Sequence, residues 1–335
     1  MCLRGRRFFR SRGTREFSPP CARRAHACSS AALLVWPGLA GLHYPVHPFA
    51  PAPWRQEGLG PPRRPERPSS HEPRSRIMSH LKDKVILITG GTSGIGEGCA
   101  ELFCEHGAKV VAMSIQQAEG EALQKRLTDR GFSCAFHFGD ASKEPDVKAA
   151  VDLAVSRFGR LDAACANAGV LRTGKITAFS VDDFHAVINV NLLGPVLLAK
   201  HAIPVMEKQG KGVICFTTSV AADIGFPEHA VYAASKAALV ALMRSLTTDH
   251  SPNGVRFVAV SPGTIDTPML AASCEGWDQP KEVLYAAVAK KIPVRRMGRP
   301  IDVAHVVAFL LSDEAGFVNN CVVPVEGGTL ALPPW

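Results

Sequence analysis

From Lys84 onward, short apolar runs alternate with longer stretches whose apolar positions recur at helical spacing. The runs read KVILIT (84–89), KVVAM (109–113), CAFHF (134–138), LDAACA (161–166), GVICFTT (212–218), VRFVAV (255–260) and CVVPV (321–325). Each has the length of a strand, and the intervals between them are long enough for helices. Runs without polar alternation belong to strands covered on both faces, which is how a parallel sheet reads. The alternation predicts an α/β fold: a doubly wound parallel sheet of about seven strands with helices on both faces. Such sheets hold ligands beyond the carboxyl ends of their strands, where the strand order reverses.

The chain before Met78 departs from this pattern. Its 77 residues carry fourteen arginines, no lysine and four glutamates, a net charge of +10, together with twelve of the 25 prolines and no sustained period. Composition of this kind predicts a disordered extension. The remaining 258 residues, 78–335, hold 24 basic against 26 acidic side chains. The overall formal charge of +8 therefore sits in the extension, and a nucleic-acid role for the folded part is not expected. The apolar run AALLVWPGLAGL (31–42) is too short to span a bilayer, which takes roughly 20 residues, and no membrane segment is expected elsewhere. Two readings of 1–77 stay open. Its Arg-rich, acid-poor composition is that of a mitochondrial transit peptide; alternatively the natural protein starts at Met78 and is cytoplasmic.

Ten cysteines are scattered without a CxxC pair or zinc-type Cys/His spacing, so no metal site is expected. Those in apolar runs behave as small hydrophobes, and a reducing compartment follows.

The first strand ends in TGGTSGIG (89–96) and runs straight into a helical stretch. Gly90, Gly94 and Gly96 permit a tight turn and close backbone approach, while the helix N-terminus beyond offers free N–H groups to a pyrophosphate. A dinucleotide site is the expectation. At the end of the second strand, where an acidic residue would select NAD, the chain has Ser114 and Ile115, so NAD and NADP both stay open.

Tyr232 and Lys236 stand four residues apart in VYAASKAAL, one helical turn, in a chain with three tyrosines. A phenol titrating near 10 is a poor acid or base at neutral pH unless a cation stabilises its phenolate, and Lys236 shares its helix face. Ser219 closes GVICFTTS thirteen residues earlier and would emerge at the carboxyl edge of the sheet.

Together these pieces resemble the short-chain dehydrogenase/reductase family in its single-domain form over residues 81–330. The resemblance rests on TGGTSGIG, Asp140-Ala141, Asn167-Ala168-Gly169, Val190-Asn191, Ser219, the Tyr232–Lys236 block, Pro262-Gly263 with Thr267, and PVEGG (324–328), in the family's order. It implies a Rossmann-type domain and NAD or NADP as cofactor. It also implies Tyr232 as general acid and base, Lys236 lowering the Tyr232 pKa and binding the nicotinamide ribose, Ser219 holding the substrate oxygen, and Asn191 anchoring a water in a proton relay. Gly90, Gly94, Ile95 and Gly96 would meet the pyrophosphate side, with Ser114 near the adenosine ribose. Asp140 would meet the adenine, Asn167 and Gly169 the adenosine ribose and fourth-strand end, and Thr267 with the Ile265 backbone the nicotinamide amide. Ala166 and Asn320 depart from the family's usual asparagine and glycine without touching this chemistry.

The resemblance further implies a small-molecule secondary alcohol or ketone as substrate. The segment carrying Met269, Leu270, Trp277, Leu284 and Tyr285 would cover it, and RRMGRP (295–300) would open the last helix. The helix from Tyr232 to Leu246 is apolar almost all round, which predicts burial on every side and so a homotetramer or homodimer. His229 and Glu228, just ahead of the tyrosine, have two readings: residues that reach a substrate, and solvated loop positions, the commoner role for such residues. A dinucleotide-sensing protein without turnover is the competing reading; so is the longer epimerase/dehydratase branch, for whose second domain no residues remain.

Overall fold

The computed structural model describes residues 80–274 and 279–331, within one compact unit, His71–Trp335. The extension 1–77 and Trp277 lie outside the described residues.

Seven parallel strands form one sheet in the order β3-β2-β1-β4-β5-β6-β7. They are β1 (Val85–Thr89), β2 (Lys109–Ser114), β3 (Cys134–Phe138), β4 (Ala163–Ala166), β5 (Gly212–Thr217), β6 (Val255–Pro262) and β7 (Cys321–Val325), one for each predicted run. Residues alternate between two cores because strand side chains alternate faces. Ile86, Ile88, Val110, Ala112, Val258 and Val260 point to one face, where α1 (Gly94–Glu105), α2 (Gln117–Asp129) and α9 (Pro300–Leu311) cover them. Val85, Leu87, Val111, Met113, Phe257 and Ala259 point to the other, under α3 (Glu144–Phe158), α5 (Gly194–Gln209) and α6 (Ala230–His250). With both faces covered, β1 is buried along its whole length.

The chain leaves β1 toward β2 in one direction and enters β4 on the other side. That reversal opens a crevice at the carboxyl ends of β1 and β4. Two short helices, α7 (Pro268–Ser273) and α8 (Lys281–Lys291), follow β6, and α8 buries none of its residues fully. RRMGRP does open α9: Arg296 Nη1 donates to Asp302 at 2.6 Å, and the Arg299 N–H donates to the same carboxylate at 2.8 Å.

Two expectations need correcting. The helix carrying Tyr232 runs from Ala230 to His250 and is longer than predicted, and the single chain covers only one side of it. Val231, Ser235, Leu239 and Met243, spaced four apart, face inward, while Ala234, Ala237, Ala241 and Ser245 are exposed. Its alanines are outward small residues, so an apolar composition there is not a core face. Nor is the chain free of segments long and apolar enough to span a membrane. Val181–Gln209 meets that test by length and composition, with half of its apolar window buried in the domain. It comprises α4 (Val181–Ile188), a π turn (Asn189–Leu193) and α5; α5 packs on α3, as a core helix does.

Candidate active site

A cleft of about 500 Å³ runs along the carboxyl edge of the sheet from the Gly90 turn to Tyr232 and Lys236. At one end lies the β1–α1 turn. Gly90 has φ +64° and Gly94 φ +53°, backbone that side chains with a Cβ adopt only with strain. Gly96 sits beneath them in α1, where a Cβ would overlap the Gly90 carbonyl oxygen and the Asn167 amide. The helix therefore begins hard against the turn. Ser93 caps it with backbone alone, its side chain accepting none of the first-turn N–H groups, and Ile95 turns its side toward the cleft. Unpaired N–H groups and the positive end of the helix dipole suit an anion such as a pyrophosphate.

Asn167, at the end of β4, binds its surroundings on three sides. Its backbone N–H takes Thr89 Oγ1 as acceptor, its Nδ2 donates to the Thr89 and Gly90 carbonyls at 3.2 and 3.1 Å, and its Oδ1 accepts from Thr217 Oγ1 at 3.4 Å. It stitches the switch point together while still lining the cleft. The β2 end is uncharged. Ser114 Oγ accepts from the Gln116 N–H at 3.1 Å, and Ile115 is 65% exposed beside it. Asp140 faces the same rim and turns one oxygen onto Ser142, accepting from both its N–H and its hydroxyl at 2.8 Å.

At the other end, Ser219, Tyr232 and Lys236 converge from β5 and α6. Ser219 stands just past β5 and caps the short turn Val220–Ala222, its Oγ accepting from the Ala221 N–H at 3.2 Å. Lys236 is buried and its Nζ donates to the Thr217 carbonyl at 2.8 Å, with the ammonium 5.8 Å from the centre of the Tyr232 ring. Burial pushes its pKa from 10.5 down to about 8, since an apolar surround disfavours the charged form.

In the chain by itself, two effects act on the Tyr232 phenol. Burial pushes the phenol above its ordinary value, and contact with the Ser219 hydroxyl pulls the other way without winning. The ammonium stands over the ring, 5.8 Å from its centre, and gives a hydrogen bond to the Thr217 carbonyl. A protonated phenol beside a hydroxyl donor is set up to give a proton to an oxygen in the cleft.

Asn191 is fully buried in the π turn, one layer behind the cleft wall. Its Oδ1 accepts from the Val170 N–H at 2.8 Å, and its Nδ2 donates to the Val170 carbonyl at 3.0 Å and to Ser235 Oγ at 3.2 Å. Ser235 in turn donates to the Tyr232 carbonyl at 2.6 Å. Gly169 lies where a Cβ would meet both Asn191 Oδ1 and Lys236 Nζ, at 3.4 and 3.5 Å. Across the cleft Thr267 caps α7, its Oγ1 accepting from the Leu270 N–H at 3.3 Å, and Ile265 bridges to Gly298. Met269 and Leu270 line the wall, as predicted for the covering segment, whereas Leu284 and Tyr285 do not.

Sequence reasoning passed over Thr217, whose carbonyl holds Lys236, and Ser235, which ties Asn191 to α6. A backbone acceptor carries no sequence signature. Among the described residues, no group of three His, Cys, Asp or Glu side chains could hold a metal ion.

A family model described as enoyl-(acyl carrier protein) reductase matches residues 90–329. An uncharacterised oxidoreductase of Thermotoga maritima is 40% identical over 76% of this chain and all of its own length. The 2-(S)-hydroxypropyl-CoM dehydrogenase 3 of Xanthobacter autotrophicus is 35% identical over 76% of this chain and all of its own. The crystal structure of levodione reductase superposes with a TM-score of 0.72 at 33% identity, covering 75% of this chain and 99% of that one.

Proposed function

Since the chain belongs to the short-chain dehydrogenase/reductase family of oxidoreductases, we propose that it interconverts a secondary alcohol and a ketone with NAD or NADP, Tyr232 serving as acid and base. The observation that carries this reading is the single cleft shared by the glycine turn and by Ser219, Tyr232 and Lys236. The glycine turn and the uncapped start of α1 fit a dinucleotide pyrophosphate, and the length of the cleft fits a cofactor whose far end lies at Tyr232. Bound there, the dinucleotide supplies or accepts the hydride.

The chain's own residues do the rest. The Ser219 hydroxyl donates to the substrate oxygen and orients it toward Tyr232. In reduction the protonated phenol gives its proton to that oxygen; in oxidation the phenolate takes it back. Lys236, held by Thr217, keeps positive charge within reach of the ring, and Asn191 keeps Val170 and α6 in register behind it rather than lining the cleft. Thr267, the Ile265 backbone, Gly169, Asn167, Asp140 and Ser114 line the cleft and would lie along a bound cofactor. The uncharged Ser114 end suits either dinucleotide.

Phe226, Met269 and Leu270 give the substrate end an apolar wall, which suits a lipophilic ketone or alcohol; the hydroxypropyl-CoM dehydrogenase and levodione reductase act on an alcohol and a ketone respectively. The exposed small-residue face of α6 and exposed Val181 and Phe184 support self-association as a homodimer or homotetramer. The seven described cysteines carry free thiols, which supports a cytoplasmic setting. A panel of ketones and secondary alcohols followed by nicotinamide absorbance, with Tyr232→Phe as control, tests the proposal. Turnover in the wild type that persists in the variant would remove Tyr232 from it.

A further inference from the structure

The cleft mouth holds an imidazole that the mechanism above does not use. His229 lines the cleft immediately ahead of α6, and its Nδ1 lies 2.6 Å from the Pro227 carbonyl oxygen. A carbonyl only accepts, so in that bond Nδ1 carries the hydrogen. Neutral imidazole has one N–H. Nε2 is then an acceptor, and the structure gives it no protein donor and does not bury it.

The ring is fixed from both sides. It meets Tyr232 edge to face, centroids 6.2 Å apart, and Phe226 at 5.9 Å. The loop presenting it is held in an uncommon shape: Glu228 has φ +63°, and its carbonyl accepts from the Gly174 N–H at 2.9 Å. A non-glycine residue in that region is strained, and such strain persists where surrounding contacts enforce it. Here the enforced turn sets His229 beside the proton donor.

We infer that His229 is a specificity-determining residue whose Nε2 accepts a hydrogen bond from a hydroxyl on the substrate next to the reacting carbon. The preferred substrate class is therefore an α-hydroxy ketone or the corresponding vicinal diol, with an apolar remainder against Phe226 and Met269. The inference rests on the proposed reaction only for where the reacting carbon lies. A substrate without that hydroxyl would cover Nε2 and strip its water without replacing the bond, and an acceptor desolvated in this way discriminates more strongly than an apolar wall can.

The test uses 2-hydroxycyclohexanone against cyclohexanone, and trans-1,2-cyclohexanediol against cyclohexanol. Nitrogen-15 NMR of the full chain labelled at histidine reads the His229 tautomer and the shift of Nε2 as each probe is added, without requiring turnover. The inference expects an Nδ1–H tautomer, a saturable Nε2 shift with the hydroxylated member of each pair, and none with the other. In turnover, the ratio of kcat/KM for hydroxy ketone over ketone falls about tenfold in His229→Phe, which keeps the aromatic contacts, and is largely restored in His229→Gln, which keeps an acceptor. An Nε2–H tautomer, equal shifts within a pair, or an unchanged ratio in His229→Phe overturns it. If the wild type reduces neither ketone while the diol still shifts Nε2, the proposed reaction fails and the His229 assignment stands.

Discussion

Lys236 Nζ donates to the carbonyl oxygen of Thr217 at 2.8 Å, joining α6 to the end of β5 through a side chain that is almost wholly buried. The bond satisfies one of three ammonium donors. It leaves a charge in an apolar surround, and that has a cost the rest of the fold must offset.

Stability should report that cost. With Lys236 titrating near 8 when folded and near 10.5 when unfolded, the unfolded chain binds more protons between those values. Folding stability therefore rises with pH across that window, by ~3 kcal/mol at most. Lys236→Met removes this contribution and flattens the rise, while abolishing turnover. Urea unfolding of both proteins from pH 7 to 10.5 checks it; parallel curves would mean the ammonium is solvated.

Tyr232→Phe should retain dinucleotide binding and lose turnover by at least ~100-fold. Because the phenol is protonated at neutral pH and burial pushes it further up, reduction in the wild type should run well there. Oxidation, which needs the phenolate, should climb toward alkaline pH. Steady-state rates in both directions measure this.

Gly96→Ala forces a methyl against the Gly90 carbonyl and the Asn167 amide, neither of which is a flexible side-chain end. A destabilisation of about 1–3 kcal/mol is expected, with dinucleotide affinity reduced at least tenfold. Nicotinamide fluorescence titration reads the second effect, and unchanged affinity would move the pyrophosphate elsewhere.

Ser114→Asp places a carboxylate at the uncharged β2 end. Repulsion of a 2′-phosphate should lower NADPH affinity at least tenfold relative to NADH. Competitive titration decides it, and equal losses for both would put the adenosine ribose away from Ser114.

Asn191→Ala strands the Val170 N–H and carbonyl that Asn191 now pairs. Leaving buried backbone groups unsatisfied should cost about 1–3 kcal/mol in thermal or urea unfolding. An unchanged midpoint would show that water replaces the amide freely.

All seven strands were legible from the chain because a strand covered on both faces must be apolar throughout, and that pattern is local. The glycine turn, Ser219 and the Tyr232–Lys236 spacing were legible for the same reason: each is a short-range requirement of turn or helix geometry. What only the tertiary structure decided lies between elements distant in sequence. That Lys236 gives its hydrogen bond to Thr217, that burial raises the Tyr232 phenol, and that Asn191 pairs with Val170 all depend on backbone carbonyls, N–H groups and desolvation. Backbone groups carry almost no residue signature, and desolvation depends on what packs around a group rather than on the group's neighbours in sequence. The alanines of α6 make a related point, since their apolar composition does not say which of them the chain's own packing covers and which it leaves open. Sequence determined which side chains could do chemistry; the fold decided which of them touch, and in what dielectric.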